Sequence, residues 1–263
     1  CTLIKIKSVE TKLLSEKGAK AVVIIQDKYT SLVSMYKRFL MRKSTKLVKE
    51  NPERIMPFFY VSDNIETLID AKKLDKYKSK QKNLGSYEVQ ITLDITSDSE
   101  QRTGENVLAV LPGTDLKDEY VVITSHYDHI GMEGDKIFNG ADDDGSGTST
   151  VLELAHTFSE LAKQGIRPRR SILFMTVSGE EKGLLGSEYF TDNPLIPLEQ
   201  MVCDLNIDMV GRVDEKHADN PNYIYLIGSD KLSTDLHKIA LSANEKSSNL
   251  ELDFTYNSPT DPN

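Results

Sequence analysis

The sequence predicts an α/β protein of three layers, with a mostly parallel central sheet between two layers of helices. Two observations carry that prediction. From residue 87 onward, short and almost wholly apolar runs alternate with helical patterns, as in βα units. Most of those runs lack a polar face, so each strand needs cover on both sides, which parallel sheets have. A third observation bears on function: charged clusters sit just past the ends of several runs.

The first 85 or so residues differ from the rest. Val9 to Lys17 reads as a helix closed by Gly18, a residue suited to the left-handed C′ position. Ala21-Val-Val-Ile-Ile25 and Met56-Pro-Phe-Phe-Tyr-Val61 read as strands. The Lys/Arg-rich stretch Lys37 to Arg54 reads as a solvated helix and loop, and Asn64 to Leu74 as a short helix. Lys72 to Lys82, lysine-rich and weakly apolar, is a linker candidate. The expected division is a first domain over residues 1–85 and a second over 86–263.

In the second domain, Tyr87 to Ile95 alternates polar and apolar residues, as a half-buried strand does. Asn106 to Leu111 is an apolar run ended by the turn dipeptide Pro112-Gly113. Tyr120–Thr124, Ser171–Val177, Val202–Ile207 and Tyr223–Ile227 read as buried strands. Ser149 to Lys163 is the clearest helix, with Val151, Leu152, Leu154, Ala155 and Phe158 on a broad apolar face.

Bulk properties narrow the function. The 263 residues are 38% hydrophobic and 28% charged, ordinary for a globular protein with a sizeable core. A net charge of −9 argues against a general nucleic-acid binder, which needs a basic face. No apolar run approaches the roughly 18 residues that span a bilayer. Cys1 and Cys203 form neither a disulfide framework nor a CxxC metal signature, and Cys203 is expected as an inert buried thiol. Oligomeric state is not legible.

Ligands of open α/β sheets bind outside the carboxyl ends of the strands. One strand here ends in Ser125-His-Tyr-Asp-His129, with His126 and Asp128 on one side of an extended chain. Another ends in Ser178-Gly-Glu-Glu181, and a third in Asn206-Ile-Asp208. Between the first two, Asn139-Gly-Ala-Asp-Asp-Asp-Gly-Ser-Gly147 opens the long helix. Three successive aspartates repel one another and favour a compensating cation. One imidazole with several carboxylates suits zinc; a pure oxygen set would suit magnesium or calcium. Asp128 can accept the imidazole N–H of His126 and so orient it. Each motif alone is common by chance, and their joint placement at strand ends makes the case.

These motifs, in this order, together with Val177-Ser-Gly-Glu-Glu-Lys-Gly-Leu-Leu-Gly-Ser187 and Leu205-Asn-Ile-Asp-Met-Val-Gly211, resemble the co-catalytic zinc aminopeptidases. That group includes bacterial leucyl aminopeptidases, aminopeptidase Y and glutamate carboxypeptidase II relatives. The resemblance implies a zinc-exopeptidase fold, two Zn²⁺ ions and a peptide substrate. It implies that His126 and Asp208 bind the first zinc, Asp143 bridges, and Glu181 binds the second. It implies that Glu180 is the general base, that Asp128 orients His126, and that the Asp143–Asp144 peptide is cis. Residues 1–85 resemble the later part of a protease-associated insert, through Glu16 to Ile25 and Met56 to Ser62. An exported bacterial protein, periplasmic, at the cell envelope or secreted, is implied by the same likeness.

One element of the pattern has no counterpart: a late histidine on the second zinc. His217 lies in a polar loop and is expected in solvent, His237 on a helix surface, and His156 in mid-helix beside the apolar face. His129, near the site, is expected to line the cleft or cap the loop. The expectation is an internal portion of a longer protein, with a degenerate site of one metal or none as the alternative. Competing functions are a carboxypeptidase, a glutaminyl cyclase, disfavoured by the absence of tryptophan, and a non-catalytic binding protein.

Overall fold

Tyr120-Val-Val-Ile-Thr124 directs apolar side chains to both sides of the chain, so as a strand it needs cover on both faces. The computed structural model of the chain gives it that cover. It describes residues 16–26, 29–31, 33–34, 44–48, 58–62, 99–231 and 233–257. The chain divides into two compact units, residues 1–101 and 102–263.

In the first unit, β1 (Val22–Gln26) pairs in parallel with β2 (Phe58–Ser62), Val22 opposite Phe58. Both expected strands are present, displaced slightly toward the C-terminus. Glu16 is helical and Gly18 takes φ +86°, the left-handed backbone expected after a helix. The rest of that helix, most of Lys37–Arg54, the Asn64–Leu74 helix, the Lys72–Lys82 linker and the Tyr87–Ile95 strand lie outside the described residues.

The second unit begins with β3 (Val107–Leu111) and β4 (Leu116–His126), followed by the hairpin of β5 (Gly131–Glu133) and β6 (Lys136–Phe138). Then come α1 (Gly145–Lys163), β7 (Arg170–Val177), α2 (Leu185–Asp192) and β8 (Met201–Asn206). Four of these strands form one sheet in the order β3-β7-β4-β8. β4 runs parallel to both β7 and β8, with His126 opposite Val177 and Thr124 opposite Asn206, while β3 is antiparallel to β7. The carboxyl ends of three parallel strands therefore lie side by side.

Alternate residues of β4 and β7 build two cores. Val122, Leu173, Met175 and Val177 pack with Phe190 of α2. Ile123, Ile172 and Phe174 pack with Val151 of α1 on the other face. These are the three layers expected. Each fully buried side chain of this size contributes roughly 1.5–3 kcal/mol, and Leu173 has no exposed surface. Helix α1 starts four residues before the expected Ser149, because Asp144 caps it by accepting the Gly147 N–H. Leu152, expected on its apolar face, is exposed.

β9 (Tyr223–Tyr225) does not join the main sheet. It pairs in parallel with β10 (Glu251–Asp253), and α3 (Thr234–Lys246), capped by Ser233, makes the crossover. His217 is not in solvent as expected: it is 5% exposed and stacked on Tyr223, ring centroids 3.6 Å apart. Its Nδ1 meets Asp214 at 2.8 Å and its Nε2 meets Asp253 at 3.1 Å. The apolar ring plane beside it and the carboxylates at its edge make burial favourable. His237 is half-buried, bonded to Ser229 Oγ at 2.9 Å and packed on Phe254. His156 is exposed. Cys203 is half-buried and borders a cavity of about 420 Å³ that is also lined by Val122, Met175 and Phe190.

Candidate metal centre at the strand ends

Every charged residue singled out at a strand end belongs to one cluster. His126 closes β4, Glu180 and Glu181 lie in a short 3-10 turn after β7, and Asp208 follows β8 by two residues. Asp143 arrives from the loop before α1. From His126 Nε2, the distances are 3.1 Å to Asp143 Oδ1, 3.8 Å to Glu180 Oε2 and 3.8 Å to Asp208 Oδ2. On the other side of Asp143, His129 Nδ1 lies 3.8 Å from Asp143 Oδ1 and 2.6 Å from Glu181 Oε1.

The backbone around His126 is fixed from three elements. Its N–H donates to Asp144 Oδ2 at 3.1 Å, and its carbonyl accepts from Thr148 Oγ1 at 2.8 Å. The next N–H, of Tyr127, bonds the Val177 carbonyl. Imidazole Nδ1 donates to the backbone carbonyl of Asp128 at 2.9 Å. A carbonyl only accepts, so in the neutral ring the proton sits on Nδ1 and the Nε2 lone pair faces the carboxylates. This departs in detail from expectation: the Asp128 carboxylate is 3.8 Å from Nδ1 and accepts the Glu180 N–H instead, at 3.3 Å. Asp128 thus holds both His126 and the turn that carries Glu180.

The aspartate triplet divides its work. Asp142 Oδ1 accepts from Gly211 N and Ser146 Oγ. Asp144, 2% exposed, accepts three backbone N–H groups, from His126, Gly147 and Met209. It fastens β4, α1 and the loop after β8 to one another. Asp143 between them turns into the cluster with 37% of its side chain exposed, and the peptide joining it to Asp144 is cis. A side chain at Gly147 would collide with the Asp144 carboxylate and the Ile207 carbonyl, so glycine is required there. Sequence reading assigned Asp144, one of three identical neighbours, no role of its own, although the polar residue three before Gly147 was a cap signal; His129 was expected only to line the cleft or cap the loop.

The electrostatics follow from crowding. Burial pulls the His126 imidazole down, but the Asp128 carbonyl and the Glu180, Asp208 and Asp144 carboxylates outweigh it and leave it above its ordinary range. Burial pushes the Glu180 carboxyl up, opposed by His126 and reinforced by Glu181, Asp208 and Asp143. Burial and the Asp144 charge do the same for Asp208, again against His126.

The residues fit a pair of cations on an observation independent of motifs. His126 Nε2, His129 Nδ1 and Glu181 Oε1 are all buried, and none has a hydrogen-bond partner among the described residues. Orphaned buried polar atoms are rare in native structures and call for an explanation. Two sets of donors, His126-Asp144-Asp208 and His129-Asp143-Glu181, each converge within 4.8 Å. Asp144 is already bonded to three backbone amides, and Asp143 Oδ1 is the carboxylate oxygen nearest His126.

The chain is similar in sequence to several known proteins. A 122-residue stretch, 46% of the chain, is 36% identical to aminopeptidase NAALADL1 of Mus musculus, covering 15% of that protein. A 105-residue stretch, 40% of the chain, is 35% identical to the probable glutamate carboxypeptidase LAMP1 of Arabidopsis thaliana, covering 14% of it. A 120-residue stretch, 45% of the chain, is 31% identical to aminopeptidase YwaD of Bacillus subtilis, covering 24% of it. The chain thus spans less than a quarter of these relatives' length. The model of peptidase family M28 matches residues 106–261, more than half of the chain and all of the cluster. The chain belongs to peptidase family M28.

Proposed function

We propose that the chain carries the catalytic centre of a zinc-dependent exopeptidase, most simply an aminopeptidase. The observation that supports it best is the approach of Asp143 and Asp208 to His126 and of Asp143 to Glu181, with buried His126 Nε2 and Glu181 Oε1 lacking hydrogen-bond partners among the described residues. His126, Asp208 and Asp143 would hold one ion, and Asp143 with Glu181 the other. Imidazole with carboxylate is a donor set that zinc accepts. Bound zinc would supply Lewis-acid polarisation of the scissile carbonyl and a lowered water pKa.

The protein's own part is positional and acid–base. Glu180 takes the proton from the attacking water and passes it to the leaving amine nitrogen. Its side chain is 32% exposed, so it is open to both water and peptide. The Asp128 carboxylate anchors the Glu180 backbone, which sets the distance between the base and the His126 side of the site. Among the described residues no helix is long and apolar enough to cross a membrane.

Relatives named aminopeptidase and relatives named probable glutamate carboxypeptidase both match, so the end of the peptide attacked is settled by assay. The test is zinc content together with hydrolysis of aminoacyl chromogenic substrates and of carboxyl-terminal dipeptides, in the full-length protein. Two zincs with release of N-terminal residues is the expected result. Glu180→Gln should keep its zinc and lose activity at least a hundredfold, within the range of general-base contributions. Near-normal turnover in that variant removes Glu180 as base, and a zinc-free protein removes the hydrolase reading.

A further inference from the structure

We propose that Asp142 and Ser146 are positioning residues: together they set the spacing of Asp143 and Asp208, the two carboxylates that share an ion with His126. This rests on the zinc reading above and adds to it two residues that hold ligands rather than the ion.

Asp143 and Asp208 come from separate loops, one before α1 and one after β8. Their oxygens lie 3.1 and 3.8 Å from His126 Nε2, and their side chains are 37% and 39% exposed. Burial fixes neither carboxylate, so the backbone that carries each must be fixed instead.

Three successive N–H groups after Asp208 do this. Met209 N–H donates to Asp144 Oδ1 at 3.2 Å, Val210 N–H to Ser146 Oγ at 3.0 Å and Gly211 N–H to Asp142 Oδ1 at 2.8 Å. Asp142 and Asp144 are the neighbours of Asp143 on either side. The loop of one ligand is therefore bonded to the residues that flank the other. Ser146 joins the rungs of this ladder: while accepting from Val210, its hydroxyl donates back to Asp142, 2.8 Å from the carbonyl and 3.0 Å from Oδ1. On the other side of Asp208, the Ile207 N–H donates to the Thr124 carbonyl of β4 at 2.9 Å, two residues before His126. His126, Asp143 and Asp208 thus hang on one connected set of bonds.

Two features tie the ladder to ligand geometry. Met209, directly after Asp208, takes φ +53°, a left-handed backbone that a residue with a side chain adopts only where its surroundings hold it. At Gly211 a Cβ would come within 2.9 Å of both Asp142 Oδ1 and Ser146 Cβ, so the two loops approach closely enough to require glycine. Asp144 is buried and also caps α1, so its loss would mix placement with folding. Asp142 and Ser146 are partly exposed. Water can replace their bonds, which therefore add little to stability, and their effect falls on where Asp208 sits relative to Asp143.

The experiment titrates the metal-stripped full-length protein with zinc, and with cobalt(II) for its visible spectrum, and records the urea midpoint in chelator. The binding step lost in Asp208→Asn identifies the ion held with His126. Asp142→Ala, Ser146→Ala and Gly211→Ala should each weaken that step about tenfold or more, the range found for partners that orient metal ligands. Each should also shift the cobalt spectrum of that step, leave the other step unchanged and keep the urea midpoint close to the parent's. Asp142→Asn retains an oxygen that can accept both bonds and should bind as the parent does. If the three variants load zinc normally, or if only their urea midpoints fall, the ladder is structural and the inference is overturned, with the peptidase reading intact. Asp142→Asn as weak as Asp142→Ala would overturn it too, since charge and not placement would then be at work. A parent protein that takes up no zinc would overturn both.

Discussion

Among single residues, the aspartate triplet shows what a pattern can and cannot say. Three like charges in a row pointed to a cation, but the run by itself did not say which of the three would face it; only the resemblance singled out Asp143. Asp142 and Asp144 are occupied by Ser146, Gly211, His126, Gly147 and Met209, and Asp143 alone faces the cluster. The division was not legible because it depends on donors more than sixty residues away, at Met209 and Gly211. It leads to an expected ranking of variants in chelator. Asp144→Asn trades a charged acceptor of three buried N–H groups for an amide, and should cost about 3 kcal/mol in urea unfolding. Asp143→Asn removes a charge from a crowded, partly exposed site and should stay within about 0.5 kcal/mol. The reverse ranking would mean that Asp144 does not fasten β4 to α1.

Among elements, the strands were legible where burial alone defines them. β4 and β7 read directly from Tyr120–Thr124 and Ser171–Val177, because a strand inside three layers has no polar face to obscure it. The direction of β3 was not legible, since an apolar run looks the same either way. Nor was the separate pairing of β9 with β10, or the burial of His217 beside them. Their support comes from aromatic stacking and charges across the loop: Tyr225 O–H donates to Asp214 at 2.5 Å, and Lys216 bonds Asp253. Those bonds hold the Asp214 carboxyl at about 2, against an ordinary 3.8, and hold Asp253 lower still. A depressed folded pKa gives stability that is full above the unfolded value and drains as pH falls toward the folded one. The β9–β10 pair should therefore hold from neutrality down to about pH 4 and loosen below it. The Tyr223 ring resonances, shifted by the stacked imidazole, report this in an acid titration. A transition centred above pH 5 would show that these carboxylates do not hold the pair.

At the scale of the whole molecule, the site was legible because its parts are short motifs, each placed by a strand end, and the parallel order of β7, β4 and β8 brings strand ends together without further instruction. What that order costs is a concentration of negative charge in a chain already at −9. Asp143, Glu180, Glu181 and Asp208 share the cluster with His126, and no lysine or arginine is paired with those four among the described residues. A ligand that binds the folded chain and not the unfolded one stabilises it by RT ln(1 + [L]/Kd), about 2.7 kcal/mol per site at a hundredfold excess over Kd. Zinc should accordingly raise the urea midpoint of the full-length protein well beyond what sodium chloride does at equal ionic strength, since screening by monovalent salt reaches a partly buried cluster poorly. Asp143→Asn should remove most of that gain, because its Oδ1 faces both halves of the site. If zinc and sodium chloride shift the midpoint equally, or if Asp143→Asn responds as the parent does, the carboxylates are a solvated acidic patch and the two-cation centre is refuted.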